Sequence, residues 1–258
     1  MSGQTILSLQ GLTKQFGGLT AVNNVSFSIE PQQIFGLIGP NGAGKTTIFN
    51  LITGILPPTG GSVLFCGENI TSKPPHVIAK DGIARTFQNI KLFSNLSVID
   101  NLITSSQVHM EYTLLDGLIR TPKCRKIERE TQKRALELLE QLNIMGYKDA
   151  TAGNLPYGIQ RRVEIARALS LQPKLLLLDE PAAGMNEDET AKMVALIRDI
   201  RDRWQLAVLV IDHHMDMMMD MCSHIAVLNF GQMIASGSPE EIQNNPTVIE
   251  AYLGVDET

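Results

Sequence analysis

The sequence predicts an α/β protein with a mostly parallel sheet core, interrupted by an inserted helical subdomain. Three observations carry this expectation. Residues 34–38 form a continuous apolar run of the kind a strand covered on both faces requires, and a Gly-rich loop and a helix-compatible segment, residues 47–53, follow at once. Residues 175–178 and 207–211 are two more such runs, separated by a helical pattern over 189–203. Strand–helix–strand order implies parallel pairing through right-handed crossovers. Between these halves the character changes. Over 125–142, Ile127, Ala135, Leu138, Leu139 and Leu142 share one helical face, with Glu130 and Arg134 four residues apart. The chain, residues 1–258, therefore reads as one domain: core segments 1–88 and 173–258, and a helical subdomain over 89–172.

The other elements follow in order. Residues 6–9 and 25–29 are short β-like runs, and residues 63–66 read as a strand bounded by Gly60-Gly61 and Gly67. Residues 225–228 and 233–235 flank a turn at 229–232 and suggest a late hairpin. Ser238-Pro239-Glu240-Glu241 has the capping-box pattern with proline at the first helical position, so a short helix should start there. Little chain remains after Leu253, so no appended regulatory domain is expected.

Bulk properties narrow the function. Hydrophobic residues make up 43% and charged residues 19%, which suits a globular chain and not a disordered one. The net charge of −5 gives no counterion-release gain on nucleic acid, so no nucleic-acid partner is expected. Cys66, Cys124 and Cys222 are odd in number and widely spaced, which favours buried thiols over a disulfide or zinc site. The start of the chain lacks the charged-then-apolar pattern of a signal peptide, and no apolar run reaches bilayer length. Met215, Met217, Met218, Met219 and Met221 crowd one short stretch. Core gap-filling explains them better than a soft-metal site.

Chemistry enters at Gly39-Pro40-Asn41-Gly42-Ala43-Gly44-Lys45-Thr46, which satisfies GxxxxGK[ST] between a buried-strand run and a helix. Glycines let backbone N–H groups curl around phosphate oxygens, and the helix presents its positive end to them. Lys45 is expected to reach the β- and γ-phosphates of ATP, and the Thr46 hydroxyl to ligate Mg²⁺. The second element is the run 175–178 ending in Asp179-Glu180. Charge at the carboxyl end of a buried strand marks the ligand edge of an open α/β sheet. Asp179 is expected to hold Mg²⁺ through its water shell, and Glu180 to polarise the attacking water.

Further short stretches resemble the ABC ATPase family. Gln88 lies where that family has its Q-loop glutamine, and His213 where it has its switch histidine. His214 is the competing neighbour, and the Ile-Asp-His stretch favours His213. Leu155-Pro156-Tyr157-Gly158-Ile159-Gln160, continued by Arg161-Arg162-Val163-Glu164-Ile165-Ala166-Arg167-Ala168-Leu169, resembles the signature segment and its helix. Phe16 matches the aromatic position that stacks on adenine. By themselves a lone glutamine or histidine reads as a surface or satisfied residue, and Phe16 as packing on the N-terminal strands. The resemblance, covering roughly residues 9–253 with all motifs in order, inverts those readings. It implies a P-loop, RecA-like core with an N-terminal antiparallel β portion. It also implies nucleotide contacts from Phe16, Val22, the loop 39–46, Thr47, Tyr157 and Gly158, catalytic roles for Lys45, Gln88, Glu180 and His213, and metal contacts from Thr46, Gln88 and Asp179.

Within that family the nearest likeness is to the importer subunits for branched-chain amino acids, the LivG type. It is carried by Phe16-Gly17-Gly18-Leu19, Ala21-Val22-Asn23-Asn24-Val25, Arg85-Thr86-Phe87-Gln88, Leu92-Phe93, an insertion around 118–122, Asp179–Asn186 and the ending 249–254. The resemblance implies a peripheral subunit on the cytoplasmic face of the cell membrane. Its partners would be transmembrane permease subunits, a second ATPase subunit (a heterodimer, or alternatively a homodimer) and, indirectly, a solute-binding protein. Lipopolysaccharide-type exporters and non-transport ABC ATPases are the rival readings. One departure stands out: Pro156, Tyr157 and Ile159 replace the serine, first glycine and glutamine of the usual Leu-Ser-Gly-Gly-Gln. Proline offers neither a hydroxyl nor an N–H, which predicts a weaker clamp on a partner's ATP and hence a heterodimer.

Overall fold

A computed structural model describes residues 5–109 and 121–253. The part of the 118–122 insertion before Thr121, and Gly254 of the ending, lie outside the described residues. The chain divides into two compact units, one comprising Met1–Gln88 with Lys174–Thr258 and the other Asn89–Pro173.

The first unit is built on two sheets. β1 (Leu7–Phe16), β2 (Leu19–Ile29), β4 (Gly60–Phe65) and β5 (Glu68–Asn69) form an antiparallel sheet in the order β2-β1-β4-β5. β3 (Ile34–Ile38), β6 (Ile83–Arg85), β7 (Leu175–Asp179), β8 (Ala207–Ile211), β9 (His224–Asn229) and β10 (Gln232–Gly237) form the second, in the order β10-β9-β3-β8-β7-β6. It is parallel except for the β9–β10 hairpin.

Burial explains the patterns in the sequence. Every residue of β3, β7 and β8 is buried, which is what their unbroken apolar runs demand. β2 instead alternates polar and apolar residues, and only Val22, Val25 and Ile29 are buried, so it is longer than the short run its apolar residues suggested. Helix α1 (Lys45–Ile52) buries Ile48, Phe49, Leu51 and Ile52 against the same core. α2 (Pro75–Asp81) and three-residue β6 were not expected from sequence, being too short for periodicity to register.

In the second unit, α3 (Val98–Ser106) runs into a 3₁₀ turn at Gln107–His109, and two more, at Met145–Tyr147 and Ala152–Asn154, lie between α4 (Pro122–Gln141) and α5 (Tyr157–Leu169). The buried stripe of α4 is Cys124, Thr131, Ala135, Leu138 and Leu139, with Leu142 buried just beyond its end; Ile127 is half-buried. Surface pairs form between Lys126 and Glu130 and between Lys133 and Glu137, while Glu130 and Arg134 make no ion pair among the described contacts.

The remaining helices, α6 (Glu187–Trp204), α7 (Met215–Met221), α8 (Pro239–Gln243) and α9 (Pro246–Leu253), return to the first unit. α6 begins with a full capping box between Asn186 and Glu189, and α8 with one between Ser238 and Glu241. In α7, Met217, Met218 and Met221 are buried, and Met218 Cε would lie 2.8 Å from a Cβ placed on Gly36 of β3. These methionines fill the gap over a strand that has no side chain there. Cys124 and Cys222 are buried free thiols; Cys66, also free, is only half-buried.

β6 and β7 are also joined by charge. Arg85 ends β6, and its Nη2 lies 2.8 Å from Asp179 Oδ2 with both side chains under a tenth exposed. Its Nη1 donates to Asn50 Oδ1 at 2.7 Å, and the guanidinium lies 5.3 Å from the ring centre of Phe49 and 5.0 Å from that of Phe87. Arg85 Nε is buried with no hydrogen-bond partner, so the cation rests on its carboxylate, its amide and two ring faces. Deleting one partner of such a pair strands the other charge in the interior. Arg85→Met should therefore lower unfolding free energy by about 3–5 kcal/mol in urea titration, whereas Lys126→Ala should change it by less than about 0.5 kcal/mol. Asn186→Ala, which removes only the α6 cap, should cost about 1 kcal/mol.

Candidate active site

Parallel register brings the candidate residues of the first unit to one edge. Ile211, the last residue of β8, pairs with Leu37 of β3 on one side and with Asp179 of β7 on the other. The chain leaving β3 therefore enters the loop 39–44 at the level where β7 releases Glu180 and β8 releases Asp212 and His213.

The loop is pressed onto its neighbours. A Cβ on Gly39, at φ +150°, would fall 2.2 Å from the Leu228 carbonyl oxygen. One on Gly44, at φ +102°, would fall 2.5 Å from that of Ala21. Neither position admits a side chain. The Gly231 N–H donates to the Ala43 carbonyl at 3.1 Å, tying the loop to the β9–β10 turn. Asn41, Gly42 and Thr46 are exposed, Pro40 and Thr47 half-buried, and Ala43 is buried. Val22 is wholly buried, with Cγ2 3.5 Å from the Gly44 Cβ position, so its side chain supports the loop from beneath.

Lys45 opens α1 and curls back over the loop, its Nζ donating to the carbonyls of Gly39 at 2.6 Å and Pro40 at 2.9 Å. Burial lowers its pKa below the usual lysine value, and the carboxylates of Glu180 and Asp179 pull it part of the way back. All three groups thus share one electrostatic environment. A half-buried ammonium beside two carboxylates, at the start of a helix, is chemistry that could hold a charged anion together with a cation.

Glu180 sits in the left-handed region at φ +48°, unusual for a residue with a long side chain, while its N–H continues the β7–β8 ladder to the Ile211 carbonyl at 2.8 Å. After that turn the Glu180 side chain is 21% exposed, against 6% for that of Asp179. Gln88 Nε2 donates to Glu180 Oε2 at 2.9 Å, and His213 Nδ1 lies 3.9 Å from the same oxygen. Asp179 is 4% exposed, so only its rim meets solvent. The hydroxyl of Thr46, the carboxylate of Asp179 and the amide oxygen of Gln88 would offer oxygen donors alone, a chemistry that suits Mg²⁺ and not a softer metal.

Phe16, at the end of β1, is 45% exposed, with Lys14 Nζ 5.1 Å from its ring centre. Tyr157 and Gly158 belong to the second unit, where α5 starts after Pro156 with no side-chain cap. Tyr157 is 46% exposed, and its hydroxyl accepts from Arg161 Nη2 at 3.2 Å. Arg161 is itself buried against Glu164 at 2.8 Å, and Glu164 Oε1 takes the Lys91 N–H at 3.3 Å. A Cβ on Gly158 would meet nothing within 4 Å, so that backbone is open to close approach.

Two residues of the edge escaped the sequence reading as site members. Arg85 was noted only as part of a resemblance, and its grip on Asp179 becomes visible only once β6 and β7 are paired. Asp212 follows the apolar run of β8 as Asp179 closes that of β7, the same signal in the same kind of place.

Residues 22–183 match the family described as ABC transporter, and residues 232–258 the family described as branched-chain amino acid ATP-binding cassette transporter. The chain is 47% identical, over 96% of its length and 98% of the relative's, to the high-affinity branched-chain amino acid transport ATP-binding protein BraF of Pseudomonas aeruginosa. It is 45% identical to LivG of Escherichia coli K12, with 97% and 98% covered. The lipopolysaccharide export ATP-binding protein LptB of Haemophilus influenzae is more distant, at 34% over 97% and 98%. Among solved structures, the ADP conformation of MJ1267, an ATP-binding cassette of an ABC transporter, superimposes with a TM-score of 0.84 at 31% identity, covering 97% of this chain and 99% of that one. The chain belongs to the ABC transporter family, as one of its ATP-hydrolysing subunits.

Proposed function

We propose that this chain is the ATPase of an importer for branched-chain or related amino acids, working with Mg²⁺ on membrane-embedded permease subunits. The single observation that carries the catalytic part is the convergence of Lys45, Asp179, Glu180, Gln88 and His213 on the edge above β3, β7 and β8. The cargo class is supported by the 45–47% identity to BraF and LivG over nearly the whole chain, and by the match of residues 232–258. The LptB-type export reading has weaker support, at 34% identity.

In this reading the loop N–H groups and Lys45 hold the triphosphate. Thr46 and Asp179, the latter nearly covered and held by Arg85, would hold Mg²⁺. Bound Mg²⁺ would neutralise charge developing on the β- and γ-phosphates. Glu180 polarises the attacking water, its carboxylate steadied by Gln88 and faced by His213. Phe16 offers an exposed ring to the adenine base. No helix among the described residues is long and apolar enough to cross a membrane, so attachment at the cytoplasmic face would come through the permease.

Tyr157 and Gly158 would face the nucleotide of a second ATPase subunit. The α5 N-terminus lacks a capping hydroxyl at Pro156, which supports a weak clamp and a heterodimer with a different subunit. The permease subunits carry the solute path, and a solute-binding protein acts on them from the far side.

Three outcomes follow. Lys45→Ala should weaken nucleotide binding at least tenfold in filter-binding assays, through loss of a charge-assisted contact of about 1.5–3 kcal/mol. Glu180→Gln should leave ATP affinity within about twofold and cut turnover by about 100-fold or more; unimpaired hydrolysis removes Glu180 from this role. Pro156→Ser, by restoring a capping hydroxyl at the α5 N-terminus, should raise ATP turnover of the assembled transporter, and unchanged turnover contradicts the weak clamp.

A further inference from the structure

Beside His213 stands a second histidine to which nothing in the foregoing assigns a task. His214 Nδ1 lies 2.7 Å from Asp212 Oδ1. A carboxylate oxygen only accepts, so that nitrogen carries its proton toward Asp212. The same Oδ1 also takes the backbone N–H groups of His213 at 2.8 Å and His214 at 3.0 Å. Asp212 is 0% exposed, and its other oxygen, Oδ2, is buried with no hydrogen-bond partner. The whole capacity of this buried carboxylate is thus concentrated on the turn that carries His213.

The His214 ring then holds its neighbour. The two imidazoles lie with centres 4.2 Å apart and planes at 34°, and the His213 ring, offset by that contact, faces Glu180. Among the described residues no hydrogen bond fixes the His213 side chain, which is 56% exposed, and its Nδ1 is 3.8 Å from Asp212 Oδ1, beyond hydrogen-bond length.

We infer that His214, anchored by Asp212, is a positioning residue that holds the His213 ring toward Glu180. This rests on the ATPase reading above. A metal site made from the same three side chains is a poorer account, although their ligand atoms lie within 4.8 Å of one another. Asp212 Oδ1 is already loaded with three N–H donors, and the His214 nitrogen nearest to it presents a proton and not a lone pair. Dislodging a correctly aimed group by about 1 Å typically costs up to about 100-fold in rate while leaving ground-state binding intact.

The test is steady-state ATP hydrolysis by the assembled transporter in which this chain carries His214→Ala, His214→Asn or His214→Phe, with thermal melts of the chain to establish folding. Asparagine keeps a donor near the position of Nδ1, and phenylalanine keeps a ring without a donor. Expected are a fall in kcat of about tenfold for His214→Ala, with KM for ATP within twofold of wild type. Recovery to within about threefold is expected for His214→Asn, and no recovery for His214→Phe. Wild-type kcat in His214→Ala, a change confined to KM, or an Asn variant no better than Ala would each overturn the inference while leaving the ATPase reading intact. Absence of hydrolysis in the wild-type assembly would overturn that reading, and this inference with it.

Discussion

The site depends on one constraint: Ile211 is paired in parallel register with Leu37 on one side and Asp179 on the other. Parallel strands all leave a sheet at the same edge, so three segments far apart in sequence emerge together there. The loop to Lys45, the pair Asp179-Glu180 and the pair Asp212-His213 are those three segments. A slip of one residue in β8 would turn every side chain of that strand to the other face and carry the His213 turn out of line. The complete burial of β3, β7 and β8 enforces the register, because each alternative exposes apolar surface worth about 25 cal/mol per Å².

With the edge fixed, electrostatics divides the labour. Asp179 faces inward and is matched by the buried guanidinium of Arg85; Glu180, one residue later in the left-handed region, is more exposed. Two adjacent carboxylates thereby acquire different surroundings, one held in place and one presented to solvent and to His213. Lys45 stands between the carboxylates and the loop, its charge opposed by burial and favoured by both acids. Before any ligand arrives, the cations and anions of this edge already have partners. Binding exchanges those partners and does not create charge in an apolar setting.

Much of this was legible in the sequence because it is local. GxxxxGK[ST] placed after an apolar run, and an acidic pair ending another, report on backbone and chemistry within a few residues. The capping box at Ser238 is equally local, and the one at Asn186, though just as local, went unread. What escaped notice depends on register or on face. Arg85 acquires meaning only beside Asp179, 94 residues away. Val22 reads from sequence as a ligand neighbour by resemblance, and its full burial follows from the pairing of β2 with β1. The length of β2 was hidden by its amphipathic alternation and by the bulges that interrupt its pairing with β1. In the second unit the helical character of α4 was legible from its apolar stripe. The buried Arg161–Glu164 pair on the signature helix was not, since charges at three-residue spacing ordinarily read as a solvated face.

The central claim is that the Lys45 loop and the acids at the end of β7, Asp179 and Glu180, form one receptor for a magnesium-bound triphosphate. Isothermal calorimetry of the folded, full-length chain with ATP tests it most directly, run with Mg²⁺ and again with the metal chelated. The account predicts uptake of one nucleotide per chain, markedly weaker once the metal is removed. A folded chain that takes up no nucleotide, or binds it equally well without metal, would contradict it.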